Sequence, residues 1–576
     1  MTNAPSKLPT AFVILGLALF PAFCLWAMRA NSVCYDERTH LQSGLAHLTR
    51  GALYTQRPAP LDPLAAATSA WNAAWVCLRT GDPRGELYFF SRAQTLAARE
   101  ANLWMGLAIG AALVVVSVRL WGPWGGALTA VSYAFTPAFI AHASILSTDL
   151  HAAALSLLVV LILWRAIHRP TPVTGALLGV ALALALACKL LLVILIPIIG
   201  MALIYRKHFI GGDAGAPRIQ WTTWGVFVSA LVVACFVAAW GIHQWSQLGD
   251  PRSPWGVSLS RWGAIVQTAT ELRGGNRLRY FNGELGRHSW LFMPVALLVK
   301  TPLPLLALAT LSIAAGLLER RSPRNGDAPA GGSAPLQPVT GETNPSPDDE
   351  LGAVERPKAR DRRPAPLAFA AMASAIYLIG VELSKTQLGS RHALPAMLFL
   401  PLAIGGLAGR RLWRRRGFRA AGVAGLVWLA VGTARVMPFP IANFNELAGG
   451  PNGGHRWLVD SDLDWGQGLH ALKRWQDGRP ETRPLLLAYF GQQTPEEAGL
   501  EYEGLPSPFS PVTTDEKWLH LRRFPEEARG WIAVSETLLK GVYNQECGLP
   551  PDYYSGLENE PIVARIAYSI RVIHRP

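Results

Sequence analysis

Long apolar runs alternate along the whole chain with short polar stretches that carry basic residues. A membrane-spanning helix needs about 20 apolar residues, with a usual range of about 17 to 25. By this criterion the pattern predicts about eleven membrane-spanning helices. They lie near 11–28, 101–118, 126–143, 150–166, 172–188, 190–205, 223–243, 290–316, 366–383, 393–409 and 418–436. The pattern therefore indicates an all-α polytopic membrane protein, in which the first apolar run is a retained helix.

The apolar stretch from 172 to 205 is interrupted by a single charge at Lys189. As one helix it would rise about 50 Å, which exceeds a hydrocarbon core of about 30 Å. We therefore predict two helices joined tightly at Lys189. A single helix here would remove one span, reverse every later segment and place the basic cluster 410–419 outside, against the positive-inside rule.

This topology assigns a side of the membrane to each short loop. Arg119, Arg165, Arg169 and Arg206 then face the cytoplasm, as the positive-inside rule requires. The loops around Asp149, Lys189 and Lys385 face outward. We expect a multi-pass membrane protein with its functional residues on the extracytoplasmic face.

Composition adds the domain organisation to this picture. The chain has 576 residues, of which 50% are hydrophobic and 16% charged, and a soluble globular protein would not have this balance. The net charge of +14 does not indicate nucleic acid, because the basic residues cluster beside the spans. We predict an N-terminal transmembrane region, 1–318, with a first outer loop at 29–100. A disordered cytoplasmic linker follows at 319–365, then C-terminal helices at 366–436 and a small extracytoplasmic α/β domain at 437–576.

Three acidic residues meet on the outer side under this topology. Asp36 and Glu37 follow the first span, and Asp149 lies where the third span ends and the fourth begins. Ionisable residues at a membrane boundary are costly unless they are paired or solvated, so these acids indicate a functional cavity. The alternative is that they are ordinary residues at the level of the lipid headgroups.

Opposite charges come from the later helices on the same side. They are Lys189, Arg287, His288, Lys300, Lys385 and Arg391. Lys300 lies inside an apolar run, where a cation costs about 3 kcal/mol unless it reaches the interface or meets an anion. Carboxylates and cations at one face suit a lipid-linked phosphate substrate, because cations hold a phosphate and a carboxylate accepts the proton of a nucleophile.

The sequence does not favour a metal or another cofactor. The stretch VDSDLDWGQGL at 459–469 has closely spaced aspartates, but it lacks the sixth-position glycine and the twelfth-position glutamate of a calcium loop. We interpret it as a turn of a folded domain. Cys34 and Cys77 share the first outer loop. The sequence is compatible with a disulfide between them and with two free thiols.

Several stretches resemble one enzyme family in the order in which the family has them. They are DERTHLQSGLAHLTRG and RPAPL, LAAREANLWMG before RLWG, TPAFIAHASILSTDL, CKLLL, SWLFMPVALLVKTPLPLL, LGSRHALP, FNELAGGPNGGHRWLVDSDLDWGQGL, VSETLLKGVYN and IAYSIRV. Together they resemble the bacterial members of the protein O-mannosyltransferase and aminoarabinose transferase superfamily. These are glycosyltransferases of the GT-C fold, family 39, that use polyprenyl-phosphate sugars.

The resemblance implies roles for individual residues. Asp36 matches the catalytic aspartate, with Glu37 in a supporting or acceptor-positioning role, and Asp149 matches the acid of the second outer loop. Lys189 and Arg391 match basic positions that meet the lipid phosphate. The remaining expected substrate-binding residues fall in matching stretches and are Lys300, His392 and His40. The chain departs from the family at Arg57–Leu61, where relatives often have His-Pro-Pro-Leu, so a role carried by that histidine is not implied here.

The function expected from the sequence is transfer of a sugar, with inversion, from a polyprenyl phosphate to an extracytoplasmic protein, lipid or glycan. A lipid-linked phosphate is a good leaving group, so one general base can suffice. Two other classes stay open. A noncatalytic envelope-assembly or lipid-binding protein would have the same spans, and a secondary transporter would usually show inverted halves with charges at the membrane midplane.

Overall fold

The computed structural model describes residues 7–50, 63–81, 91–206, 221–247, 278–321, 365–384, 389–507, 518 and 521–576. Helices predominate in the first three quarters of the chain. They are α1 (Leu8–Ala30), α2 (Glu37–Arg50), α3 (Pro63–Thr80), α4 (Arg92–Ala134), α5 (Pro137–Ala143), α6 (Thr148–His168), α7 (Pro172–Cys188), α8 (Leu190–Ile204), α9 (Trp221–Gln247), α10 (Phe292–Lys300), α11 (Leu303–Arg321), α12 (Ala365–Leu383), α13 (Ser390–Gly409) and α14 (Arg416–Val436). Residues 322–364, which make up most of the predicted linker, lie outside the described residues.

Six of the described helices are long and apolar enough to cross a membrane, and the bent pair α10 and α11 would make a seventh. The 43-residue helix α4 contains a break at Gly122, whose φ of 76° is followed by Pro123. The break divides α4 into the second and third predicted spans. The shorter apolar helices α7, α8 and α9 correspond to the fifth, sixth and seventh. The prediction of a helical polytopic membrane protein is confirmed.

The helix is interrupted at Lys189, where the length argument predicts a junction. Helix α7 ends at Cys188, Lys189 has an extended backbone with φ of −159°, and a tight helical turn begins α8. The amide of Lys189 still donates to the carbonyl of Ala185, 3.1 Å away. The lysine side chain is thus presented at the junction of two helices.

Helices α7 and α9 approach closely through two glycines. A Cβ atom at Gly175 would lie 2.4 Å from the carbonyl oxygen of Phe227, and one at Gly179 would lie 2.2 Å from that of Leu231. Their spacing of four residues places both glycines on one face of α7, which is a common arrangement for close packing between membrane helices.

The C-terminal domain is built on a five-stranded mixed sheet. Helix α15 (Leu469–Asp477) precedes β3 (Leu485–Ala488), and the other strands are β4 (Tyr502–Gly504), β5 (Gly530–Ser535), β6 (Ile562–Ile566) and β7 (Ile570–Arg575). The strand order is β4-β3-β5-β7-β6, and the strands β4, β3 and β5 are parallel. A separate hairpin of β1 (Arg279–Phe281) and β2 (Glu284–Gly286) lies before α10. The predicted α/β character of the domain is confirmed.

Both faces of the central strand β3 are covered, which explains its uninterrupted apolar sequence LLLA. Leu485 and Leu487 pack in one cluster with residues of α15, whereas Leu486 and Ala488 pack in the other. This alternation is that of side chains along a strand. The sheet is therefore a rigid base for the loops at its ends.

We expect Gly179→Val to destabilise the protein, because the added atoms would overlap the backbone of α9. Overpacking of this kind typically costs about 1–3 kcal/mol. Thermal denaturation of the detergent-solubilised protein measures the effect. Gly200→Val in α8 is the control, since a Cβ there meets nothing within 4 Å. Equal denaturation temperatures for the two variants would contradict the close packing of α7 and α9.

Candidate active site

Asp36 lies between the end of α1 and the start of α2, in an unusual backbone conformation. Its φ is 75°, in the left-handed region that non-glycine residues rarely adopt. Its carbonyl accepts the amide of His40, 2.9 Å away, so the residue begins α2. One carboxylate oxygen, Oδ2, lies 3.9 Å from Nη1 of Arg391, and the Asp36 side chain is 36% exposed. Strained backbone that the surrounding structure maintains is often found at functional sites.

Asp149 and Lys189 form the second part of the cluster. Asp149 is in the first turn of α6, and its Oδ1 lies 2.5 Å from Nζ of Lys189. Its other oxygen lies 3.9 Å from Nη1 of Arg391. Asp149 is only 3% exposed, so its carboxylate depends on these two cations. The Arg391 guanidinium therefore lies between two carboxylates, one from the segment after α1 and the other from the start of α6.

Arg391 is held from three sides. Its guanidinium stacks on the ring of Trp465 at 4.4 Å. The preceding Ser390 donates its amide (3.0 Å) and its hydroxyl (2.5 Å) to Asp462. Gly389 has φ of 114°, and a Cβ there would lie 2.6 Å from the Ser461 hydroxyl. Only glycine fits this approach of α13 to the C-terminal domain.

Glu37 faces away from this cluster and pairs with Arg99. Glu37 Oε2 lies 2.6 Å from Nη2 of Arg99, and both side chains are at most 3% exposed. The Glu37 carboxylate also accepts the amides of Cys34 (2.7 Å) and Leu146 (2.8 Å). Arg99 in turn donates to the carbonyl of Met28, 2.7 Å away. The pair thus joins α1, α2, α4 and the loop before α6, and it fixes the position of the neighbouring Asp36.

Lys300 serves the junction between the spans and the C-terminal domain. It ends α10 at a bend of 104°. Its Nζ donates to the carbonyl of Ile441 (2.7 Å) and to that of Asp462, and it lies 4.3 Å from the Phe444 ring. Lys300 therefore helps to position the segment around Asp462. The same segment contacts Ser390 and Arg391, through Asp462 and Trp465.

Three buried histidines, His142, His151 and His392, lie within electrostatic range of Asp149. The sequence singled out His392, which follows Arg391, but not His142 or His151. Each of these three has one buried ring nitrogen that hydrogen-bonds to no described residue. Burial lowers the pKa of His40, against the opposing effect of Asp36 and Asp149. A polar ligand in this region would meet these ring nitrogens as hydrogen-bonding partners.

The aspartates of the stretch 459–469 diverge to separate partners. Asp460, with φ of 55°, accepts a hydrogen bond from the Tyr543 hydroxyl at 2.9 Å. Asp462 binds Ser390, and Asp464 accepts the amide of Thr537 at 3.2 Å. The interpretation as a folded-domain turn agrees with these contacts. The contribution of Asp460 to the charged cluster was missed, and the only sequence signal for it was the density of acids directly after the last span.

Asp460 belongs to the electrostatic environment of Arg391 and Asp36. Burial raises the pKa of Asp460 to about 6, although Arg391 and the hydrogen bond from Tyr543 oppose the shift; Asp462 and Asp36 add to it. A cavity of about 20 Å³ lies next to Asp460, between Arg279 and Tyr543. The C-terminal domain therefore contributes an acid to the site.

The first outer loop is tied to the C-terminal domain beside Asp36. The amide of Tyr35 donates to the carbonyl of Trp465 (2.8 Å), and the Ser32 hydroxyl donates to that of Gly466 (2.7 Å). The rings of Tyr35 and Phe490 stack at 5.0 Å, and those of Phe490 and Tyr543 stack at 5.4 Å. Both sequence neighbours of Asp36 are therefore held in place. Glu37 is held by its buried pair with Arg99, and Tyr35 is held by the stacked rings of Phe490 and Tyr543.

The remaining candidates lie elsewhere or outside the described residues. Arg287 lies directly after the β1–β2 hairpin, where its carbonyl accepts a hydrogen bond from Nη1 of Arg279 at 2.8 Å. Lys385 and the stretch 57–61 are outside the described residues. Cys34 is a buried free thiol, so it forms no disulfide with Cys77. Among the residues that the structure describes, no group of three or more His, Cys, Asp or Glu residues is arranged to hold a metal ion.

The fold and this cluster define a multi-span membrane protein with a charged site where the spans meet a C-terminal α/β domain. No protein-family model matches the sequence, and no curated protein matches it. Among solved structures the chain is similar to ArnT from Cupriavidus metallidurans bound to undecaprenyl phosphate, with 13% identity over 98% of both chains and a TM-score of 0.47. It is also similar to the apo oligosaccharyltransferase of Archaeoglobus fulgidus, with 10% identity over 95% of this chain and 71% of that chain and a TM-score of 0.45.

We expect Glu37→Gln to destabilise the protein strongly, because it leaves the buried Arg99 without a counter-charge. Breaking one partner of a buried pair typically costs about 3–5 kcal/mol. The thermal denaturation temperature measures this loss. Arg79→Gln is the control, since Arg79 is 56% exposed and its pair with Glu100 is worth at most about 1 kcal/mol. Indistinguishable denaturation of the two variants would mean that Glu37 does not secure the first loop.

Proposed function

We propose that this protein is an integral membrane glycosyltransferase of the GT-C kind. It transfers a sugar, with inversion, from a polyprenyl-phosphate donor to an acceptor on the extracytoplasmic side of a bacterial inner membrane. The observation that carries the proposal is the position of Arg391, whose Nη1 lies 3.9 Å from a carboxylate oxygen of both Asp36 and Asp149. The ordered resemblance of the surrounding motifs to polyprenyl-phosphate-dependent transferases supports it.

In this proposal Lys189 and Arg391 bind the donor phosphate. A planar guanidinium binds two phosphate oxygens at once, and an ammonium adds a point charge. Asp149 keeps both cations in place before the donor arrives, because it already contacts Nζ of Lys189 and lies near Arg391. The cations then stabilise the charge that develops on the departing phosphate.

Asp36 is the general base of the proposal. It is 36% exposed, whereas Asp149 is 3% exposed and committed to Lys189. The acceptor hydroxyl or amine attacks the anomeric carbon from the face opposite the phosphate and gives its proton to Asp36. The bond from the anomeric carbon to the phosphate oxygen breaks, and the electron pair leaves with the polyprenyl phosphate. One base suffices because the leaving group needs no proton.

The acceptor is oriented by the C-terminal domain in this scheme. Asp460 lines the cavity beside Tyr543 and Arg279, and it lies within electrostatic range of Arg391. A carboxylate there accepts a hydrogen bond from an acceptor hydroxyl or amine, which aims the nucleophile. The scheme uses no metal, because Lys189 and Arg391 supply the positive charge.

Asp36→Asn should reduce turnover by about 10²–10⁴-fold, the usual contribution of a general base, and should leave donor binding nearly unchanged. Release of polyprenyl phosphate from a panel of polyprenyl-phospho-sugars measures turnover, and retention of the labelled donor measures binding.

Asp552→Asn is the matched control, since Asp552 is 51% exposed and lies in an exposed pair with Arg523. Full turnover of Asp36→Asn would eliminate Asp36 as the base. A wild-type protein that binds the donor but never releases the lipid phosphate would instead favour a noncatalytic lipid-binding or assembly protein. Vectorial uptake of a solute by proteoliposomes would favour a transporter.

Asp460→Asn should lower kcat/KM for the acceptor about tenfold at pH 7.5, which is the typical effect of losing one hydrogen bond to a charged group. The pKa of Asp460 is raised to about 6, so its carboxylate is ionised above that pH and protonated below it. Asparagine resembles the protonated form. The ratio of wild-type to Asp460→Asn activity should therefore fall towards one between pH 7.5 and pH 5.

A pH series on both proteins measures this ratio, and Tyr543→Phe provides a directional check. Removal of the Tyr543 hydroxyl withdraws a hydrogen bond that favours the Asp460 carboxylate, so the midpoint should move to higher pH. A ratio that does not change with pH would remove Asp460 from the acceptor side of the reaction.

A further inference from the structure

A cavity of about 740 Å³ lies among the membrane helices, away from the charged cluster. It is bounded by α4, α6, α8, α12 and α13, and its walls are mainly apolar. Val116, Val160, Phe369, Phe399 and Leu402 are among the residues that line it. Its volume is in the range of sites that bind small molecules and lipid chains.

One end of this cavity is strongly basic. Arg119, Arg165 and Arg169 all line it; Arg119 lies just before the break of α4 at Gly122, and the other two lie at the C-terminal end of α6. The positive-inside rule places both of these points at the cytoplasm. None of the ion pairs among the described residues includes any of the three. Three positive charges thus adjoin an apolar chamber with no acidic partner in the described part of the chain.

This combination distinguishes the three arginines from other basic residues at the same face. Arg414, Arg415 and Arg416 are exposed, as the three cavity arginines are, but they lie outside the cavity lining. A basic residue that merely borders the membrane needs no cavity, whereas an anionic lipid has both a negative headgroup and a chain that must be accommodated. Basic pockets between helices on the cytoplasmic side are typical binding places for such headgroups.

We propose that this cavity binds an anionic glycerophospholipid of the cytoplasmic leaflet. The phosphate contacts Arg119, Arg165 and Arg169, and an acyl chain extends along the apolar walls. The acyl chain moves from the apolar bilayer into an apolar cavity. The three arginine charges therefore determine the preference for anionic over zwitterionic lipid. The donor's polyprenyl tail is a poorer match, because a tail that entered from the Arg391 side would place its uncharged end against three arginines.

This site is independent of the catalytic proposal. It depends on the cavity and on the side of the membrane assigned to α4 and α6. The lipid would contact the inner parts of the five helices that bound the cavity, two of which carry Asp149 and Arg391 at their outer ends, so occupancy should stabilise the fold of the membrane region.

The experiment compares phosphatidylglycerol with phosphatidylcholine of the same acyl chains. Purified full-length protein in neutral detergent is titrated with each lipid, and retained lipid is counted by native mass spectrometry while the denaturation temperature is followed. We expect phosphatidylglycerol to be retained at least tenfold more tightly and to raise the denaturation temperature. The triple variant R119Q/R165Q/R169Q should lose that preference.

The triple variant R414Q/R415Q/R416Q is the matched control, since it removes the same charge from the same face outside the cavity. An equal loss in both triple variants would overturn the proposal, because it would mean nonspecific surface attraction. Equal retention of the two lipids by the wild-type protein would overturn it as well.

Filling the cavity provides a second test that leaves the arginines intact. Ala370→Trp projects into the cavity and should abolish phosphatidylglycerol retention, whereas Ala371→Trp, at the next position and outside the lining, should preserve it. If Ala370→Trp instead weakened only binding of a polyprenyl phosphate, the cavity would hold the donor tail and the proposal would be wrong.

Discussion

A charged side chain at the edge of a membrane needs a partner of opposite charge, and the site of this protein depends on how Arg391 meets that requirement. Its guanidinium lies between the carboxylates of Asp36 and Asp149, and Lys189 neutralises the second of these. Removal of the buried Asp149 would leave Lys189 without this carboxylate and Arg391 with the partly exposed Asp36 alone. The ends of α1, α6, α7 and α13 are therefore constrained to meet at one place.

The C-terminal domain completes this constraint. Asp462 holds the turn that carries Arg391 through Ser390, and its carbonyl accepts Lys300 from the end of α10. Trp465 lies under the guanidinium and also accepts the amide of Tyr35 through its carbonyl. One short stretch thus aligns the early acids with the late cations. The apolar, double-sided packing of β3 gives that stretch a rigid support.

The sequence predicted the parts of this arrangement that follow from local physical rules. The length of the apolar runs and the charge rule gave the helices, the junction at Lys189 and a common side for Asp36, Asp149 and Arg391. The residue pattern alone did not separate Asp36 from Glu37, whose different roles came from the family resemblance, and it did not reveal the pairing of Glu37 with Arg99, which is 62 positions away. It also missed Asp460, since its place beside Arg391 depends on tertiary contacts with Tyr543 rather than on any spacing. His142 and His151 were missed for the same reason.

The site has two sides that come from different parts of the fold. Under the proposed function one side binds the donor and the other binds the acceptor. The cations and Asp149 belong to the membrane helices, where a lipid phosphate arrives. Asp460 belongs to the C-terminal domain, which faces the aqueous acceptor. Asp36 lies between the two and is fixed through Glu37 to the spans and through Tyr35 to the domain. A base held by both halves keeps its position relative to the leaving group and to the nucleophile, which is the geometric requirement of an in-line displacement. The left-handed backbone of Asp36 lies between these two attachments, which hold it on both sides.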